Sequence, residues 1–194
     1  MYDLAEGVAR FQHGVFPAKA DLFAHLAATH DPTTLFISCS DARVVPELIT
    51  QSEPGELFVI RTAGNLVPAH TPVPDGVAAS IEYAVAVLGV RDIVVCGHSA
   101  CGAMTALAEH HDLGGLPAIA GWLRHADAAP ARAGAGEVGA LVRGNVLAQL
   151  ANLATHPSVA RALAEDRLAL HGWVYDIPTG TVEELTTRGH RSAA

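Results

Sequence analysis

The sequence predicts an α/β fold, with a central, mainly parallel sheet of about four to five strands flanked by helices. Two observations carry this. Short apolar runs without polar alternation recur at Leu35-Phe36-Ile37, Leu57-Phe58-Val59-Ile60, Ile93-Val94-Val95-Cys96 and near the C-terminus at Trp173-Val174-Tyr175. Strands of that kind are buried on both faces. Segments of helical period separate them, and alternating strands and helices give a parallel sheet covered on both sides. The size is consistent with this: 194 residues, half of them hydrophobic and 16% charged, suffice for one domain, residues 1–194, with its own core.

Each element has a local reason. Residues 3–29 carry helical spacing in two pieces that part near Gly14 and Pro17, with Leu22, Phe23, Leu26 and Ala27 forming an apolar stripe. Thr34 to Ser38 reads as a buried strand ending at Cys39, and residues 46–50 as a turn or two of helix. Residues 57–60 form the second strand, followed by a loop over 61–65. Residues 76–88 are apolar nearly all round, which predicts a buried helix rather than a surface one. A third strand covers 92–96 and runs into Gly97-His98, with a helix starting near Gly102. Further helices are expected at 117–125, 140–155 and 157–166, with a weak connection at 128–139. A fourth strand covers 168–175, and residues 181–185 pair with it as an edge.

Charge and composition narrow the function classes. The net charge of −8 repels phosphate backbones, so nucleic acid is not an expected partner. The most apolar stretch, residues 81–95, is interrupted by Glu82, Arg91 and Asp92, which argues against a membrane span. The N-terminal residues lack a basic start and an apolar run, so a cytoplasmic location is expected. In a reducing compartment three cysteines are not a disulfide framework. Cys96 lies within an apolar run and reads as core. Cys39 and Cys101 sit among Ser, Asp, His and Gly and need a chemical explanation.

In open parallel sheets, functional residues gather beyond the carboxyl ends of strands. That rule singles out Cys39, Arg61 and His98. In Cys39-Ser40-Asp41-Ala42-Arg43 an extended chain projects Cys39, Asp41 and Arg43 to one side. His98 and Cys101, three apart at a helix start, can face one site. With Cys39 they make a Cys₂His set that suits Zn²⁺, and three protein ligands leave a tetrahedral position open, the mark of a catalytic zinc. Cys39 and Cys101 stand 62 positions apart, so the fold must assemble the site. Such a zinc lowers the pKa of a bound water toward neutrality. Asp41 can accept a hydrogen bond from that water, and Arg43 can hold Asp41 in place.

The segments CSDARVVPELITQSEPGELFVIRTAGNLVP and VCGHSACGAMTAL resemble the β-class carbonic anhydrases, in their bacterial and plant-like branch, and the similarity runs from about residue 10 to residue 180. The resemblance implies one zinc per chain on Cys39, His98 and Cys101, with Asp41 and Arg43 as the catalytic dyad. It implies a substrate pocket lined by Phe58, Ala63, Tyr83 and Gly102, and a homodimer or higher assembly in which the N-terminal helices wrap the partner. The implied reaction is reversible hydration of carbon dioxide to bicarbonate and a proton.

The chain departs from the family pattern at three places. Ala42 replaces a common Ser. Thr62 replaces an Asn in the loop after the second strand. His30 stands where plant-like members have a bicarbonate-binding Gln, and it joins the pocket residues as an anion or proton contact. Phe36 occupies a position that is Trp in members whose zinc is closed by the Asp, so an open zinc is expected here. Two other readings use the same residues: a carbonyl sulfide or carbon disulfide hydrolase, and a non-catalytic zinc or redox-sensing module.

Overall fold

The computed structural model describes residues 3–73, 75–129 and 137–188, so residues 130–136 of the connection expected at 128–139 lie outside the described residues. The chain's contacts divide it into two units, Met1–Asp31 and Pro32–Ala194.

In the first unit, α1 (Leu4–Arg10) is capped by Asp3, whose carboxylate accepts from the Ala5 and Glu6 amides. The two helical pieces part across Gly14 and Pro17 as expected, though the chain between them stays coiled. It loosens into a wide turn over Phe11–Val15 and a tight one over Phe16–Lys19 before α2 (Ala20–Leu26). Pro17 has no N–H to offer the ladder there. Phe23 stacks on Phe16, with ring centroids 5.3 Å apart, and meets Phe11 edge-on at 6.1 Å.

The second unit holds a five-stranded sheet of β1 (Thr34–Cys39), β2 (Leu57–Thr62), β3 (Asp92–His98), β4 (Ala169–Tyr175) and β5 (Val182–Arg188). The order is β2-β1-β3-β4-β5, parallel throughout except for the antiparallel edge strand β5. From β1 the chain steps to β2 on one side, then crosses back to β3 on the other. Strand order therefore reverses at β1, and the carboxyl ends there frame a crevice.

Period two sorts each apolar run onto two faces. Leu35, Ile37, Ile93, Val95 and Leu170 belong to the main core with Val142, Val146 and Leu150 of α7 (Val138–Leu153). Phe36, Val94 and Cys96 pack on the opposite face beside Trp173. Cys96 is wholly buried there, in line with a core role. Two strand glycines let α7 approach: a Cβ at Gly97 would lie 2.8 Å from Val146 Cγ2, and one at Gly172 3.0 Å from Val146 Cγ1. Among the described residues, the remaining α-helices of this unit are α3 (Pro46–Thr50), α4 (Gly76–Glu82), α5 (Gly102–Ala108), α6 (Pro117–Leu123) and α8 (Pro157–Ala164).

The helix expected to be buried at 76–88 corrects that reading. It runs as α4 and continues as a wide turn over Tyr83–Val87. Ile81, Ala84 and Val85 are buried, but Tyr83 is 42% and Val87 66% exposed. Apolar character on every side reports what a helix can bury, and within this chain only one face meets the core. No described helix is long and apolar enough to cross a membrane.

Candidate active site

Cys39 and His98 are the last residues of β1 and β3. The register pairing Ser38 with Cys96 brings these strand ends level. Ala100 takes the left-handed conformation (φ 52°) and turns the chain back, so that Cys101 enters the site at the start of α5. The ligand atoms of Cys39, His98 and Cys101 all lie within 4.8 Å of one another, and all three residues are buried.

The chemistry of this trio fits a metal ion. His98 Nδ1 stands 2.9 Å from the Ser99 carbonyl oxygen. A carbonyl only accepts, so Nδ1 carries the proton and Nε2 keeps its lone pair. Nε2 is buried without a hydrogen bond to any described residue. The Cys101 thiol pulls the neighbouring Cys39 thiol down, against burial, which acts in the other direction. The Cys101 thiol is pushed up, chiefly by Cys39. Two sulfurs and an imidazole nitrogen make a soft donor set of the kind zinc takes.

Asp41 and Arg43 sit beside the trio, but not through an extended chain as the alternation argument expected. The Val44 amide donates to the Asp41 carbonyl at 3.0 Å, so residues 41–44 form a tight turn. Within it Arg43 grips the carboxylate twice, Nε to Oδ1 at 2.9 Å and Nη2 to Oδ2 at 2.7 Å, while its backbone N–H donates to Oδ1 at 2.9 Å. Nη2 also reaches the Ala100 carbonyl at 3.1 Å, tying the turn to the His98–Cys101 segment. Arg43 holds the Asp41 carboxyl well below the usual carboxylate range. Asp41 Oδ2 lies 3.9 Å from His98 Nε2.

Arg61 was legible only as a strand-end residue. Its guanidinium donates to the carbonyls of Cys39 (3.1 Å), Asp41 (2.6 Å) and Val44 (2.8 Å), pinning the backbone of the whole ligand turn. A second feature that the sequence reading missed is a polar line on α7. Asn145 donates to the Gly64 carbonyl, Gln149 accepts from the Val67 amide, and Asn152 donates to the Val67 carbonyl. The spacing Asn145, Gln149, Asn152 in an otherwise apolar helix was the available signal.

The expected pocket residues are distributed as follows. The rings of Phe58 and Tyr83 lie 5.9 Å apart. Ala63 opens the tight turn Ala63–Asn65, whose Gly64 amide donates to Cys39 Sγ at 3.3 Å. Gly102 follows Cys101 as the first residue of α5, with open space where a Cβ would stand. His30 is exposed and belongs to the first unit.

With this geometry in place, the comparisons with known proteins are specific. The family model described as carbonic anhydrase matches residues 34–182. A carbonic anhydrase of Pseudomonas aeruginosa is 60% identical over 98% of this chain and 90% of its own. The solved β-carbonic anhydrase CcaA is 40% identical, with a TM-score of 0.90 covering 97% of this chain and 91% of that one. One of two β-carbonic anhydrases of Sordaria macrospora, described as tetrameric, is 33% identical with a TM-score of 0.74 over 94% and 91%. The chain belongs to the β-class carbonic anhydrases. It is an enzyme that interconverts carbon dioxide and bicarbonate.

Proposed function

We propose that the chain catalyses this hydration with one Zn²⁺ held by Cys39, His98 and Cys101. The observation that carries the proposal is the buried trio of ligand atoms within 4.8 Å of one another, beside an Asp41 whose two oxygens are both engaged by Arg43. Zinc, when bound, supplies Lewis acidity that makes a water nucleophilic near neutral pH. The chain's own residues do the rest. Asp41 Oδ2 accepts the hydrogen bond that orients the attacking water and directs its lone pair at the substrate carbon. Arg43 holds that carboxylate on both oxygens and so would keep it from ligating a bound metal, in keeping with the open site expected from Phe36.

In this reading Phe58, Tyr83, Ala63 and Gly102 border an apolar pocket for carbon dioxide, and His30 contacts the bicarbonate anion or carries the proton outward. In this reading residues 1–194 make up one domain. Val45, Leu48, Val73, Tyr83 and Val87 are large apolar side chains exposed in the single chain, which suits burial in a homodimer or a larger assembly with the N-terminal helices around the partner. Three free thiols suit the reducing cytoplasm. The test compares turnover of carbon dioxide, carbonyl sulfide and carbon disulfide by zinc-loaded and chelated protein. Zinc-dependent turnover of carbon dioxide above the two sulfur compounds is expected. Preference for a sulfur compound, or full activity after chelation, would refute the assignment.

A further inference from the structure

We propose that Trp122 is a positioning residue for the Cys39 thiolate, acting through the Ala63–Gly64 peptide. This rests on the zinc reading above and concerns a residue that neither the ligand trio nor the dyad includes.

One peptide unit carries both contacts. Its N–H, that of Gly64, points at Cys39 Sγ at 3.3 Å. Its carbonyl, that of Ala63, accepts from the indole Nε1–H of Trp122 at 2.9 Å. The indole, the peptide and the sulfur therefore form a chain of two hydrogen bonds that polarise each other. A cysteine sulfur holds a metal as thiolate, so with the metal bound the last is a hydrogen bond to an ionised sulfur, the stronger charge-assisted kind. A peptide whose carbonyl is held cannot rotate its N–H away from the thiolate.

The geometry of the turn leaves few alternatives. Gly64 has φ +72°, and a Cβ on it would stand 2.9 Å from Ala103 Cβ, so only glycine places the peptide here. Asn145 Nδ2 donates to the Gly64 carbonyl at 2.9 Å, and Gln149 Nε2 in turn donates to Asn145 Oδ1 at 2.9 Å. The Ala63–Gly64 peptide is thus held by Trp122, and the next peptide, Gly64–Asn65, by the polar line of α7. Hydrogen bonds to a metal ligand set how much charge it gives the metal, and losing one typically lowers affinity about 10–100-fold.

The test replaces the indole N–H without removing the ring. Trp122→Phe and a protein bearing 3-benzothienylalanine at position 122, which keeps the bicyclic shape, are loaded with Co²⁺ in place of zinc. The readouts are the energy of the thiolate-to-cobalt charge-transfer band and the Co²⁺ affinity by chelator competition. Without the indole donor on the Ala63 carbonyl, the Gly64 N–H is less polarised and less firmly aimed, and the sulfur electrons lie higher. Both substituted proteins are therefore expected to show the band at lower energy and an affinity about tenfold weaker. Lost packing alone does not shift the band in the shape-matched analogue. A band and affinity unchanged in that analogue overturn the inference and leave the zinc reading standing. A wild-type protein with no thiolate-to-cobalt band overturns both.

Discussion

Arg43 meets Asp41 as a two-pronged fork, Nε on Oδ1 and Nη2 on Oδ2, with the same Nη2 reaching the Ala100 carbonyl. Two nitrogens of one side chain thus bind the carboxylate and link it to the segment that carries His98 and Cys101. A lysine cannot reproduce that arrangement, because its ammonium is a single point of charge.

The pair has a defined pH signature. Asp41 is held well below its usual range in the fold. A carboxyl lowered in this way adds stability above its unfolded pKa of about 3.9, and that contribution is lost as the pH falls through the folded value. Arg43→Leu removes the cause of the shift. The melting temperature of Arg43→Leu is expected to lie below wild type at neutral pH, with the gap narrowing below about pH 4. Thermal melts of both proteins across pH check this, and a gap that widens on acidification would contradict it.

Arg61 makes a second prediction. Its fork spans three carbonyls of the ligand turn, and hydrogen bonds to a charged group are worth about 1.5–3 kcal/mol. Arg61→Lys leaves at least one of these carbonyls without its donor and lets the turn move. Hydration is expected to fall about 10–100-fold, the scale of a misplaced catalytic group, while metal content stays at one equivalent. Kinetics and metal analysis on the same preparation separate the two.

Close packing of α7 on the sheet predicts the effect of one methyl group. Gly97→Ala gains up to about 1 kcal/mol by stiffening the unfolded chain. The new Cβ would stand 2.8 Å from Val146 Cγ2 and 3.0 Å from Val142 Cγ1. Overpacking of that kind costs about 1–3 kcal/mol and outweighs the gain. The melting temperature is expected to drop by a few degrees, measurable by calorimetry.

Thiol chemistry distinguishes the three cysteines. Burial pushes the Cys96 thiol up to about 12, and the side chain has no exposed surface. Thiolates react and thiols do not. Under native conditions at about pH 8, Cys96 is expected to escape alkylation by iodoacetamide and to react only after denaturation, as peptide mass mapping would show.

Much of this was legible in the sequence because the signals were local. Residues 35–37 and 93–96 are apolar without interruption, and a strand buried on both faces leaves no other pattern. Cys39 and His98 end such strands, so the carboxyl-end rule points to the end of the sheet where these two side chains and Cys101 come together. The dyad was legible as a pair, but its geometry was not. Alternation along a strand placed Asp41 and Arg43 on one side, whereas the Asp41–Val44 hydrogen bond closes a turn and brings the guanidinium round to the carboxylate. Partners distant in sequence left weaker traces. Trp122 and Ala63 are 59 residues apart, and Asn145 and Gly64 are 81 apart, so no local pattern pairs them. Residues 76–88 bury only one face within the single chain, because hydropathy reports a capacity for burial, whereas the available neighbours decide which face is used.

The central claim is that a metal on Cys39, His98 and Cys101 works through Asp41. It is tested most directly by stopped-flow hydration of carbon dioxide with a pH indicator, on wild type and Asp41→Ala, with zinc measured on the same samples. Wild type is expected to carry one zinc per chain and hydrate carbon dioxide, and Asp41→Ala to keep its zinc and lose most of the activity. A wild type with one zinc and no hydration between about pH 7 and 9, or an Asp41→Ala protein as active as wild type, would contradict the account.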